Sequence, residues 1–131
     1  MISSDAFGYI NLLDNSGDIS WQRQTLIMNN IANDDTPGYK RQDIEFDSVL
    51  RRELINTHER SLERAVNVLG KPENYVEGIE YTDYENYSYR LDGNNVDPDT
   101  EQVELASEQL RYQALMTSVN NEVSRFKSVL R

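Results

Sequence analysis

One stretch of this sequence limits the choice of fold more than any other: residues 97–131 contain no glycine, and their one proline, Pro98, stands at the start. Asp97 can cap a helix there, and Pro98 suits the first helical position because that position needs no backbone N–H donor. At ~1.5 Å per residue, the predicted helix is about 50 Å long. A helix of that length extends beyond a small core, so a second long helix is expected beside it.

The apolar residues of this stretch follow the helical repeat. Their spacing makes the helix amphipathic, and its apolar face is predicted to contact another helix. This face carries Leu105, Tyr112, Met116, Val119, Val123, Phe126 and Leu130. A second apolar seam lies beside that face and consists of Val103, Ala106, Leu110 and Ala114.

The first third of the chain supplies the second long helix. Its heptad-like positions, flanked by Trp21 and Met28, are Ile10, Leu13, Gly17, Gln24, Ile27 and Ile31. The segment DNSGD, residues 14–18, either separates two helices or belongs to one helix that tolerates Gly17 at a cost of about 1 kcal/mol relative to alanine. We favour one continuous helix because the apolar pattern resumes beyond this segment without a shift.

These patterns predict a mainly α-helical fold. Two long amphipathic terminal helices pair as an antiparallel coiled-coil-like hairpin, with a small irregular α/β middle segment. The predicted segments are residues 1–38 (helix and turn), 39–96 (short helices and a candidate hairpin) and 97–131 (helix). Alternation around Tyr87 and Tyr89 predicts a strand, and Asp92-Gly93 predicts a turn.

The first helix is followed at once by residues that stop helices. Asn33 is predicted to end it in the left-handed conformation, which asparagine tolerates. Pro37 biases Thr36 toward an extended conformation, and Gly38 suits the position of a type II turn that needs positive φ. The segment therefore predicts a helix end and a stiff loop, although an ordinary surface loop explains these residues equally well.

The composition argues against several functional classes. The net charge of −10 argues against binding to nucleic acid or to anionic membranes. The chain contains no cysteine, no apolar run near the ~20 residues of a membrane span, and no signal-peptide pattern at its start. The one histidine, His58, lies in a polar helical pattern. We therefore expect no catalytic residues, no cofactor, no metal site and no direct membrane insertion.

Two segments resemble a known family. NNIANDDTPGYKRQDIEF, residues 29–46, resembles the N-terminal signature of the axial proteins of the bacterial flagellum, the rod and hook subunits, at Asn30, Ile31, Ala32, Asn33, Thr36, Pro37, Gly38 and Tyr39. LDGNNVDPDTEQVELASEQLRYQAL, residues 91–115, resembles the start of the C-terminal helix in proximal rod subunits of type B. The short distance between the two segments also fits a proximal rod subunit, because distal rod and hook relatives carry large insertions there.

The resemblance implies a structural subunit that assembles helically into the proximal rod, the drive shaft between the membrane ring and the hook. It implies a location in the periplasmic rod and export by the flagellar type III apparatus without a cleaved signal peptide. The implied partners are copies of the chain, other rod subunits, and the ring-adjacent adaptor and export-gate proteins. The terminal helices would pack into the inner tube, and the turn would orient a loop that contacts neighbouring subunits.

Two alternatives remain at this point. Within the family, the other short proximal rod subunit, type C, is the rival, although DGNNVD and RYQAL favour type B. Outside the family, an acidic cytosolic secretion chaperone or adaptor fits the composition nearly as well but does not explain the signature. Among the functional classes, an enzyme is less favoured than either a rod subunit or a chaperone.

Overall fold

The computed structural model describes residues 7–85 and 91–130. Its elements are α1 (Gly8–Ala32), β1 (Gln42–Glu45), α2 (Asp47–Asn56), α3 (Leu62–Leu69), a 3₁₀ turn (Pro72–Asn74), β2 (Ile79–Thr82) and α4 (Pro98–Val129). The two longest helices, α1 and α4, pack on each other. The two strands, which lie between these helices in the sequence, form a small sheet. The predicted mainly helical fold is confirmed at this level.

Helix α1 runs without a break through residues 14–18, as the apolar pattern predicts. Gly17 is buried there because α4 passes close by: a β-carbon on Gly17 would lie only 2.6 Å from Cε of Met116. The glycine is therefore a point of close helix contact and not a helix stop.

Helix α4 begins as its sequence predicts. Oδ1 of Asp97 accepts hydrogen bonds from the backbone N–H groups of Asp99 (3.1 Å) and Thr100 (3.5 Å), and Pro98 occupies the first turn. These bonds satisfy donors that a helix start would otherwise leave unpaired.

Helices α1 and α4 contact each other near both ends of α1. Near the start of α1, the ring of Phe7 stacks on Phe126 with centroids 5.1 Å apart. Near the end of α1, the amide of Asn30 donates to Glu101, which lies in the first turn of α4.

The main apolar core lies between α1 and the middle segment. It contains Leu12, Ile19, Ile44, Phe46, Val49, Leu69 and Val76. Strand β1 pairs antiparallel with β2, and Ile44 stands opposite Glu80. Helix α1 therefore has two buried faces, one toward α4 and one toward this core. The heptad pattern missed Leu12 and Ile19 because it describes only the face toward α4.

The predicted hairpin around Tyr87 and Tyr89 lies outside the described residues. The sheet instead joins β1 to β2, a pairing that the sequence did not predict. Asp92-Gly93 does form a turn, with φ of +74° at Gly93. Among the described residues, no helix is long and apolar enough to cross a membrane.

Candidate functional site

The loop that follows α1 begins differently from the prediction. Asn33 ends the helix with φ of −108° and ψ of 18°, so the predicted left-handed conformation is wrong. Both its backbone N–H (3.1 Å) and its side-chain amide (2.8 Å) donate to the carbonyl of Asn29. Asn33 therefore ends the helix with negative φ, and the first positive φ in the loop occurs at Gly38.

The predicted turn is present after this cap. The N–H of Tyr39 donates to the carbonyl of Thr36 (3.2 Å), with Pro37 and Gly38 between them. Gly38 has φ of +72°, as a type II turn requires at this position. A β-carbon on Gly38 would meet nothing within 4 Å, so the backbone angle and not the available space favours glycine.

Asn94, in the segment before α4, binds the loop that follows α1. Its fully buried side chain donates to the carbonyls of Asn33 (2.8 Å), Asp34 (3.0 Å) and Thr36 (2.8 Å). Its Oδ1 accepts from the N–H of Val96 (2.8 Å). These three carbonyls lie in the loop that follows α1, so one asparagine from the segment before α4 fixes the path of that loop.

Asn95 joins the same loop to the end of the sheet. Its Oδ1 accepts from the N–H of Arg41 (2.8 Å), and its amide donates to the carbonyls of Asp83 (2.7 Å) and Glu85 (3.0 Å). The two sequence segments of the family resemblance therefore form one hydrogen-bonded unit. We call this unit, residues 30–41 with residues 92–101, the signature latch.

Asn30 is the buried centre of the signature latch. Its amide donates to the carbonyl of Gln42 (2.8 Å) and to Glu101 (3.1 Å). Its Oδ1 accepts from the hydroxyl of Tyr39 (3.1 Å) and from the N–H of Gln42 (2.9 Å). All four hydrogen-bonding positions of this side chain are used, so no other residue type can replace it without loss.

Charged side chains connect the latch to the rest of α4. Nε of Arg41 donates to Glu101 (2.6 Å), whose side chain is almost entirely buried. Arg23 binds Asp43 through two bonds (2.7 and 3.1 Å) and reaches Glu108 (2.7 Å). In all, two guanidinium groups contact five carboxylates, those of Asp43, Asp83, Glu101, Glu104 and Glu108. Bidentate arginine pairs have strict geometry, so this network fixes how α1, β1 and α4 align.

The network changes the ionisation of its members. Burial acts to raise the pKa of Asp43, but the hydrogen bond from Arg23 and the charges of Arg23 and Arg41 outweigh it and hold that pKa below 3.8. The pKa of Arg23 is raised, chiefly by its hydrogen bond to Asp43. The ionised pair is therefore the stable form in the fold.

Acidification is expected to weaken the fold through Asp43. Because its pKa is lower in the folded state, the unfolded chain binds the proton first as pH falls. The stabilising contribution is present above the ordinary pKa of 3.8 and is lost as pH falls through the folded value. Urea unfolding should show that the free energy of unfolding of the parent chain falls between neutral pH and about pH 3. The same change of pH should lower that of Asp43→Asn by a smaller amount. Equal losses for parent and variant would show that another group is responsible.

The structure places the predicted helix-packing residues at different depths. Ile27 is fully buried. Most of the others are partly buried, namely Ile10, Leu13, Leu105, Tyr112, Met116, Val119, Val123 and Phe126. Leu130 follows α4 and is 70% exposed, because α1 begins beside Phe126 and does not extend along the last turn. The second seam, at Val103, Ala106, Leu110 and Ala114, is exposed.

The signature residues also divide into two groups. Asn30 and Tyr39 turn inward and bond to each other, whereas Pro37, Gly38 and Ala32 are exposed and Ile31 is partly buried. The sequence patterns missed the charged network entirely. One signal was available: Glu101 and Glu108 are seven residues apart and in phase with Leu105, so two acids lie in the predicted apolar face.

Comparison with known proteins gives consistent matches over most of the chain. No protein-family model matches. A protein of Bacillus subtilis (strain 168) is 37% identical over 128 residues, covering 94% of this chain and 93% of the relative. A protein of Borreliella burgdorferi is 33% identical over 122 residues (86% and 85%), and one of Salmonella typhimurium is 31% identical over 115 residues (83% and 83%). Each relative is named flagellar basal body rod protein FlgB.

Proposed function

The chain belongs to the FlgB family of flagellar basal body rod proteins, and from this premise we propose that it is a structural subunit of the proximal rod. The observation that best supports this role is the signature latch, in which the two segments of the family resemblance bind each other. The relatives are rod proteins, and no enzyme family is indicated. No observation favours the type C subunit or the secretion chaperone.

The mechanical part of the proposal concerns torque. Helices α1 and α4 form an antiparallel coiled-coil-like hairpin, and copies of it stack helically into the drive shaft between the membrane ring and the hook. A shaft transmits torque only if its subunits resist internal shear. The pair of Arg23 with Glu108 opposes sliding of α1 along α4, and the pair of Arg41 with Glu101 holds the loop before β1 on α4, because movement would separate buried charges.

The proposal extends to partners and location. The chain would contact copies of itself, other rod subunits, and the ring-adjacent adaptor and export-gate proteins, and it would lie in the periplasmic rod after export without a cleaved signal. The exposed apolar side chains of Val103 and Leu110 support contacts with other subunits, since such surfaces mark interaction sites. We also propose that assembly uses three units of the chain: residues 1–38, 39–96 and 97–131. The signature residues and the helix-packing residues would determine how these units assemble.

Deletion of the gene tests this role directly. We expect the deletion strain to lack hooks and filaments and to be non-motile, because the shaft cannot continue without a proximal subunit. Electron microscopy of purified basal bodies and swimming assays check this, with a strain expressing the intact chain from a plasmid as control. Hooks of normal appearance in the deletion strain would contradict the proposal. Recovery of the chain only in the cytosol, and never in basal bodies, would favour a chaperone.

A further inference from the structure

A small notch lies between α1 and α4, on the opposite side of α1 from the apolar core. It is a cavity of about 310 Å³ lined by Asp14, Gly17, Asp18, Trp21, Tyr112 and Met116. Gly17 and Met116 form its floor, and the rings of Trp21 and Tyr112, with centroids 5.9 Å apart, form one wall. Trp21 is 58% exposed, which is unusual for the largest apolar side chain of a domain. We call this cavity the acidic notch.

The notch carries negative charge that the described part of the chain does not neutralise. Asp14 and Asp18 make no ion pair and no side-chain hydrogen bond there, whereas Asp43 and Glu101 are each paired with an arginine. The neighbouring phenol of Tyr75 responds to this charge: its pKa is raised by burial and then by the charges of Asp18, Glu77 and Asp14. The notch is thus a site of negative potential beside an exposed aromatic wall.

This combination matches the chemistry of a lysine or arginine side chain. The aliphatic stem of such a side chain packs on aromatic surface while its charged head stays in contact with water or an anion. A cation near the face of a tryptophan ring gains a further attraction of about 0.5–1 kcal/mol at an exposed site. Two carboxylates at the rim would complete the contact.

The end of α4 offers a complementary surface. Lys127 lies in the last turn and has no ion-pair partner among residues 7–85 and 91–130. Beside it, Val129 and Leu130 are exposed, so the end of the helix combines this lysine with apolar side chains. It cannot reach the notch of its own chain, because Met116 in the notch and Lys127 are eleven residues apart on one helix, about 16 Å.

We propose that the acidic notch receives Lys127 and the adjoining apolar end of α4 from a second copy of this chain. This inference rests on the proposed function and specifies one contact of the rod. The two surfaces are unlike, so each copy has one notch and one helix end to offer. Such a contact does not close on itself in a dimer but continues from copy to copy, as a helical array requires.

Cysteine cross-linking tests the contact in assembled rods. The chain has no cysteine of its own, so Asp18→Cys with Lys127→Cys introduces the only thiols of the chain. Basal bodies from cells that make this variant are treated with a short bismaleimide linker, and the products are separated under denaturing conditions. We expect a ladder of dimers, trimers and longer species. The matched control, Thr25→Cys with Lys127→Cys, places the first thiol two turns away, about 10 Å along the same exposed face, and should give roughly tenfold less product.

A charge exchange provides the second measurement. Asp18→Lys and Lys127→Glu should each reduce the number of rods per cell by roughly tenfold, because like charges would meet in the contact. The double variant should restore rods, since the pair is re-formed with reversed sign. A ladder no stronger than the control, closed dimers alone, links only to another rod protein, or no rescue in the double variant would each overturn the inference. If the deletion strain builds hooks, the proposed rod function is wrong. If the deletion strain lacks hooks but the charge variants assemble rods normally, the rod function stands and the notch contact is wrong.

Discussion

Replacing Glu101 with leucine is expected to lower the free energy of unfolding by about 3 kcal/mol, because it leaves a partly buried charge without its main partner. Glu101 is only 1% exposed and accepts hydrogen bonds from Arg41 (2.6 Å) and Asn30 (3.1 Å). Leucine is close to glutamate in volume, so the loss would reflect missing polar contacts more than a cavity. Urea unfolding at neutral pH, followed by the emission of Trp21, the one tryptophan, measures the change.

Glu104→Leu is the matched control. It lies one turn farther along α4 and also pairs with an arginine, Arg23, at 3.0 Å, but its side chain is 42% exposed. An exposed pair of this kind contributes about 1 kcal/mol or less. Equal losses for the two variants would mean that burial of Glu101 is not what makes its pair important.

Asn94→Ala is expected to destabilise the fold by a similar amount, about 3 kcal/mol, because four hydrogen bonds of one fully buried side chain are lost together. Three loop carbonyls would lose the hydrogen bond from this amide, and the N–H of Val96 would lose its acceptor. The carbonyls of Asn33 and Thr36 would keep their bonds from the backbone N–H groups of Thr36 and Tyr39. Hydrogen exchange should show the effect most strongly at the N–H groups of the signature latch. Denaturant unfolding gives the overall loss.

Asn74→Ala provides a comparison with the same chemistry in an exposed setting. Its amide also donates to a carbonyl, that of Val68, at 2.8 Å, but the residue is exposed. Water can replace this bond, so we expect a loss of about 0.5–1 kcal/mol. If Asn94→Ala costs no more than Asn74→Ala, the latch does not depend on its buried asparagine.

Local chemistry made several elements predictable. The start of α4 follows from Asp97 and Pro98, which cap and begin a helix in almost any context. The turn at Gly38 follows from a proline-glycine pair. The cap at Asn33 shows the limit of this reasoning: asparagine tolerates the left-handed conformation, but here the residue has negative φ and its side chain binds the carbonyl of Asn29.

The charged network could not be predicted from local patterns. Arg23 and Glu108 are 85 residues apart, and Arg41 and Glu101 are 60 residues apart. Each side chain alone reads as an ordinary exposed charge, and only the packing of α1 on α4 buries them together. The pairing of β1 with β2 was missed for a related reason, since short strands separated by helices carry little periodic signal.

The signature latch also has a consequence for the timing of synthesis. A new chain leaves the ribosome N-terminus first, at about 5–20 residues per second. Asn94 follows Asn33 by 61 residues and Glu101 follows Asn30 by 71, so the first partner is made roughly 3–14 seconds before the second. During that interval the signature loop has only its local hydrogen bonds, because Asn94, Asn95 and Glu101 have not yet been made. We expect this delay to keep the young chain open for longer than a fold built from neighbouring residues would.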